Sequence, residues 1–95
     1  MSSVLEEIVR RGLIDLLHEC GGEHNHGELT ALMNEMGHSV ARRDVLNSLA
    51  WLSAAGLVTT EALDLFTVAA ITSDGIDVAC GRLRVEGVSR FKTGA

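Results

Sequence analysis

A chain of 95 residues with 46% hydrophobic side chains has the length for one small domain around a single core, and no room for a separate catalytic domain. Its net charge of −5 repels a polyanion as a whole, so any contact with nucleic acid has to be local. Two cysteines are too few for a secreted disulfide framework, and no apolar run approaches the ~18 residues of a membrane span, so a soluble protein of a reducing cytoplasm is expected.

Residues 3 to 20, SVLEEIVRRGLIDLLHEC, predict a first helix opened by Ser2 or Ser3, with acids in its first turn, and closed by Gly21-Gly22. At about 100° per residue its apolar side chains, Val4, Leu5, Ile8, Val9, Leu13, Ile14, Leu16 and Leu17, cover more than half the circumference. Such breadth calls for a second burial partner, either another subunit of a homodimer or a deep position inside the chain's own core. Asn25 followed by Glu28 predicts the cap and N3 acid of a second helix, which runs to Met36 on a stripe of Leu29, Leu32, Met33 and Met36 and stops at Gly37. After the short turn Gly37-His38-Ser39 a third helix is expected from Val40 to Ala55, and two helices joined so briefly form a helix-turn-helix unit.

On the third helix Val45, Leu49 and Leu52 share the buried face, while Arg43, Asn47, Ala50 and Ala54 fall about 140–200° away on the outer face. Arginine matches the major-groove edge of guanine and asparagine that of adenine, and alanines let a helix approach closely, so the stripe suits a DNA groove as well as plain solvent. Trp51, at about 240° on the same wheel, borders the core and is expected to pack rather than stack on a base. Leu57 to Ile71 predicts two strands around a turn near Ala62 to Asp64, rich in threonine, valine and other β-favouring residues. No Lys or Arg lies between Glu61 and Gly81, so this hairpin lacks the cations a phosphate-gripping wing carries. Thr72 or Ser73 then caps a short helix ending at Gly81. Residues 82–95 hold four of the eight basic side chains and one acid, and are expected to be a flexible basic tail beside a domain of residues 1–81.

Other chemistry finds less support. His18, Cys20, Glu23, His24, His26 and His38 include metal-ligating types, but the H-x-C and H-x-H spacings match no strong zinc signature, and His24 and His26 flank the cap Asn25 in an expected surface loop. The chain has no Gly-rich phosphate loop and no G-x-S-x-G elbow, so neither an enzyme nor a bound cofactor is expected.

The order of helices, hairpin and closing helix predicts a mainly α (α+β) fold, a winged helix-turn-helix with a three-helix core and a two-stranded wing. LAWLSAAGLV (49–58) and AAITSDGIDVACGRLRVEGVSR (69–90) resemble segments of small, ArsR-like winged-helix proteins of Mu-like phages and prophages; Thr72, Gly75, Val78, Ala79, Gly81, Val85, Gly87, Val88 and Arg90 carry the likeness. The resemblance implies a phage-encoded regulator in the bacterial cytoplasm. Metal-sensing ArsR proteins carry a cysteine pair in the recognition helix, and this one has none there. The expected partner is double-stranded DNA, with Arg43 and Asn47 reading bases, Arg42 on phosphate, and Arg82, Arg84, Arg90 and Lys92 adding salt-dependent affinity. The rival expectation is a protein-interaction module on the same scaffold without DNA binding, favoured by the acidic charge and the cation-free wing.

Overall fold

The computed structural model describes residues 3–90. In chain order they form α1 (Val4–Cys20), β1 (His24–Asn25), α2 (His26–Glu35), α3 (Arg42–Ala54), β2 (Val58–Leu63), β3 (Phe66–Ile71) and α4 (Ser73–Ala79). The helices sit within two residues of their expected bounds, and polar caps mark the starts of α1, α2 and α4. Ser3 accepts from the amide of Glu6 at 3.1 Å while Glu6 accepts from the amide of Ser3, a bond that also holds the Glu6 carboxyl below its usual range. Asn25 accepts from the amide of Glu28 at 2.8 Å, and Thr72 from that of Gly75 at 3.1 Å.

The sheet corrects the expected two-stranded wing. It is three-stranded and antiparallel in the order β1-β3-β2, with His24 opposite Ala69 and Asn25 opposite Val68. A two-residue strand has no periodicity to read, so His24 and Asn25 looked like loop. The Glu28 carboxylate does not reach back to the cap either; it meets His24 Nδ1 at 3.0 Å. His26, also assigned to a surface loop, is buried, and its Nδ1 accepts from the Thr67 amide at 3.1 Å, which ties the start of α2 to β3. The hairpin turn lies one to two residues later than expected, at Asp64-Leu65, with Leu63 opposite Phe66.

α1 is the central element. Every residue from Val9 to Leu17 is buried, enclosed by α3, α4, α2 and β3, so most of its broad apolar surface is met inside the chain itself, whereas Val4 and Leu5 at its start stay exposed. Leu13, Ile14 and Leu17 pack there with Leu29, Met33, Val45, Leu49, Leu52 and Leu57. Two arginines go in with them. Arg11 donates from Nε to Asp15 at 3.0 Å and from its two terminal nitrogens to the carbonyls of Val78 and Ala79 at 3.3 and 3.1 Å, closing the C-terminal end of α4. Arg10 stands 4.2 Å over the centre of the Trp51 ring and donates to the carbonyl of Gly87 at 3.0 Å.

The chain from Arg82 to Arg90, expected to trail from the domain, turns back along α1. Val88 is buried in the main core, the Ser89 amide donates to the carbonyl of Glu7 at 3.1 Å, and Gly87, at φ +100°, lies against the Trp51 ring where a Cβ would collide. Among the described residues no helix is long and apolar enough to cross a membrane. The arrangement is α+β and winged-helix-like.

Candidate nucleic-acid interface

The unit α2-turn-α3 is held rigid by one side chain. Asn34 donates to the carbonyls of Thr30 at 2.8 Å and Val40 at 2.9 Å, and accepts from the Val40 amide at 3.1 Å, so the turn is fastened to the end of α2. α3 then starts at Ala41, which has no capping oxygen; the Asp44 carboxylate compensates by accepting from the Ala41 amide at 2.9 Å.

The angular reading of α3 holds in three dimensions. Val45, Leu49 and Leu52 are fully buried, and Arg43, Asn47, Ala50 and Ala54 are all exposed. The outer face thus carries one guanidinium and one carboxamide near the N-terminal end, followed by two methyl groups that keep the backbone accessible. Asn47 also borders a groove whose other walls are Leu5 and Val9 of α1, the turn from Gly37 to Val40, and Trp51. Trp51 is half-buried beneath Arg10, a packing role.

Arg42 points the other way. A Cβ built on Gly27 would lie 3.4 Å from an Arg42 terminal nitrogen and 3.4 Å from the Phe66 ring, so the guanidinium stands over the first turn of α2, beside the turn end of the hairpin. Helix-start amides and a cation together favour an anion at that point.

The remaining predicted contacts are dispersed. Arg82 is held by Asp77 at 2.9 Å, a bond that raises its pKa. Arg84 and Arg90 line a second groove with Val4, Glu7 and Leu83. α1 runs between that groove and the one beside α3, with Glu7 on one side and Glu6 on the other, so these arginines do not join Arg42 and Arg43 in one strip. Lys92 lies outside the described residues.

The wing carries a feature that sequence reading missed. Its tip places Leu63, Leu65 and Phe66 on the surface, with Leu65 at 90% exposure, beside exposed Glu61 and Asp64. The signal was present in the sequence as leucines on either side of Asp64, but period-two alternation gives no hint that they cap a hairpin.

The histidines have separate roles. His24 bridges Glu28 and the Gly21 carbonyl, His26 packs on Phe66 with ring centres 5.7 Å apart, His18 lies 3.6 Å from the sulfur of Cys80, and His38 sits over Gly12. No three His, Cys, Asp or Glu side chains converge as a metal-ligand set among the described residues.

Comparison with known proteins gives a relative of matching length. "Uncharacterized protein gp26" of Escherichia phage Mu is 39% identical over 90 residues, covering 95% of this chain and 94% of that protein. No protein-family model and no solved structure matches.

Proposed function

Because this chain belongs to the same family as the gp26 protein of Escherichia phage Mu, we propose that it is a phage-encoded, ArsR-like winged-helix regulator that binds double-stranded DNA in the host cytoplasm. The observation that carries the reading is the exposed stripe Arg43, Asn47, Ala50 and Ala54 on a helix braced by Asn34. In a major groove Arg43 and Asn47 meet base edges, while Arg42 and the first amides of α2 meet a phosphate. The acidic remainder of the surface makes binding depend on this local patch, and adds repulsion at low salt wherever the patch does not fit.

The test is fluorescence anisotropy with a duplex from the phage's own regulatory region and an unrelated duplex, each over a salt series. The expected result is a preference for the first, with log affinity falling linearly in log salt. Arg43→Ala should weaken that binding by about 1–3 kcal/mol, roughly 5- to 150-fold, with an unchanged melting temperature because Arg43 is outside the core. Absence of binding to either duplex at low salt by folded protein overturns the assignment. A second reading, a protein-docking module, is favoured by the apolar, acidic wing tip of Leu63, Leu65 and Phe66 with Glu61 and Asp64. It is the reading that such a negative result would leave standing.

A further inference from the structure

The groove beside Asn47, about 360 Å³ in volume, lies between the first half of α1, the turn from Gly37 to Val40, and one stripe of α3. That size falls at the lower end of the ~300–1,000 Å³ common among small-molecule sites. The stripe consists of Asp44, Asn47, Ser48 and Trp51, which share a face at the i, i+3, i+4 and i+7 spacing of a helix. Val9 of α1 and Val40 of the turn supply apolar walls.

Two polar groups on the stripe have nothing in the fold to answer them. Ser48 is only 7% exposed, yet its hydroxyl makes no hydrogen bond among the described residues. A buried hydroxyl without a partner is uncommon, because burial removes the water that would otherwise satisfy it. One turn earlier, Asp44 accepts the Ala41 amide on one carboxylate oxygen at 2.9 Å, and among the described residues no donor or cation meets the other. The remaining charges of the groove are engaged. Arg10 lies over Trp51 and donates to the Gly87 carbonyl, while Glu6 accepts the Ser3 amide and stands 3.8 Å from Arg10.

We infer that this groove is a binding site for a small primary amine with an apolar body, its ammonium held by Asp44 and Ser48 and its body against Val9, Val40 and Trp51. An ammonium has three donors, which matches the carboxylate, the hydroxyl and the carboxamide oxygen of Asn47. A carboxylate ligand would meet Asp44 and Glu6, both exposed at the rim and of like charge. A wholly apolar ligand would leave Ser48 buried and unanswered. Binding of the amine does not rest on the DNA reading, with which the groove shares only Asn47.

The experiment is an NMR titration of the amide signals of the free chain, without DNA, using phenethylamine as the probe. Phenethyl alcohol and hydrocinnamate serve as neutral and anionic matches of the same body. Phenethylamine is expected to shift the Asn47, Ser48 and Trp51 amides saturably, with a Kd of ~1 mM or tighter. Its affinity should exceed that of either match by about 10-fold. Asp44→Asn, which keeps an oxygen for the Ala41 amide, should weaken phenethylamine by about 10-fold and leave phenethyl alcohol unaffected. Ser48→Ala should weaken it by about 5-fold without lowering the melting temperature, because the hydroxyl removed has no partner in the fold. Absence of saturable shifts, affinity no better than that of phenethyl alcohol, shifts confined to residues outside the groove, or unchanged affinity in both variants overturns the proposal.

Discussion

Replacing Gly75 with alanine is expected to destabilise the domain by a net ~2 kcal/mol, although helix propensity alone would favour alanine by about 1 kcal/mol. Gly75 is buried in α4 where the helix rests on the carbonyl of Leu57, and a Cβ there would collide with that oxygen and come within 2.6 Å of Ile71 Cγ1. Neither obstacle is the free end of a side chain. The Leu57 oxygen already accepts the Thr72 amide at 3.1 Å, and Thr72 in turn caps α4 and donates to the Gly56 carbonyl at 2.7 Å. Making room for one methyl group means moving the helix off the strand, an overpacking cost of about 3 kcal/mol that exceeds the propensity gain. The corresponding drop in melting temperature is roughly 8–16 °C for a domain this size. A calorimetric scan in which the alanine variant melts at or above the parent temperature would show that the junction has slack.

The buried pair Arg11–Asp15 should give a larger effect and a more informative one. Asp15→Leu leaves a guanidinium without its carboxylate in the core, and a loss of about 3–5 kcal/mol is expected in urea denaturation, a large share of the ~5–15 kcal/mol that holds such domains together. Adding Arg11→Met removes the orphaned charge. Replacing both members of a buried pair is often neutral, but here Arg11 also serves the carbonyls of Val78 and Ala79, which then lose their donors. The double variant should therefore regain part of the loss and remain about 1–3 kcal/mol below the parent. If it recovers nothing, the contribution of Arg11 lies in fastening α4 rather than in answering Asp15. Full recovery would mean that water satisfies the two carbonyls.

The helices were legible because their ends are chemically marked: Ser3, Asn25 and Thr72 bring side-chain oxygens to orphan amides, and Gly21, Gly37 and Gly81 follow the last turns at positive φ. The exposed stripe of α3 was legible because thirteen residues give enough turns to separate an inner from an outer face. What escaped was decided by tertiary contact. Nothing local distinguishes Arg10 and Arg11 from solvated charges; Asp15, four residues on from Arg11, was a hint of pairing that becomes meaningful only once α1 is known to be central. Val85 and Val88 were hidden among four basic side chains, so a segment that closes the core read as a tail. The candidate interface shares this limit. Composition alone counted eight cations, whereas Arg10 and Arg11 are spent inside and Arg82 is answered by Asp77.

Arg10, Trp51 and Gly87 meet at one point, where α1, α3 and the returning C-terminal segment are joined. Trp51 is the only tryptophan, and the chain has no tyrosine. Near-ultraviolet emission from this molecule therefore originates at a single indole whose neighbours are a cation and the backbone of the last described segment. Its colour and intensity report whether that segment is seated. An optical trace of unfolding will register the peeling of residues 82–90 from α1 even where the helical signal has not yet changed, so the two probes together resolve whether the C-terminal closure melts with the domain or ahead of it.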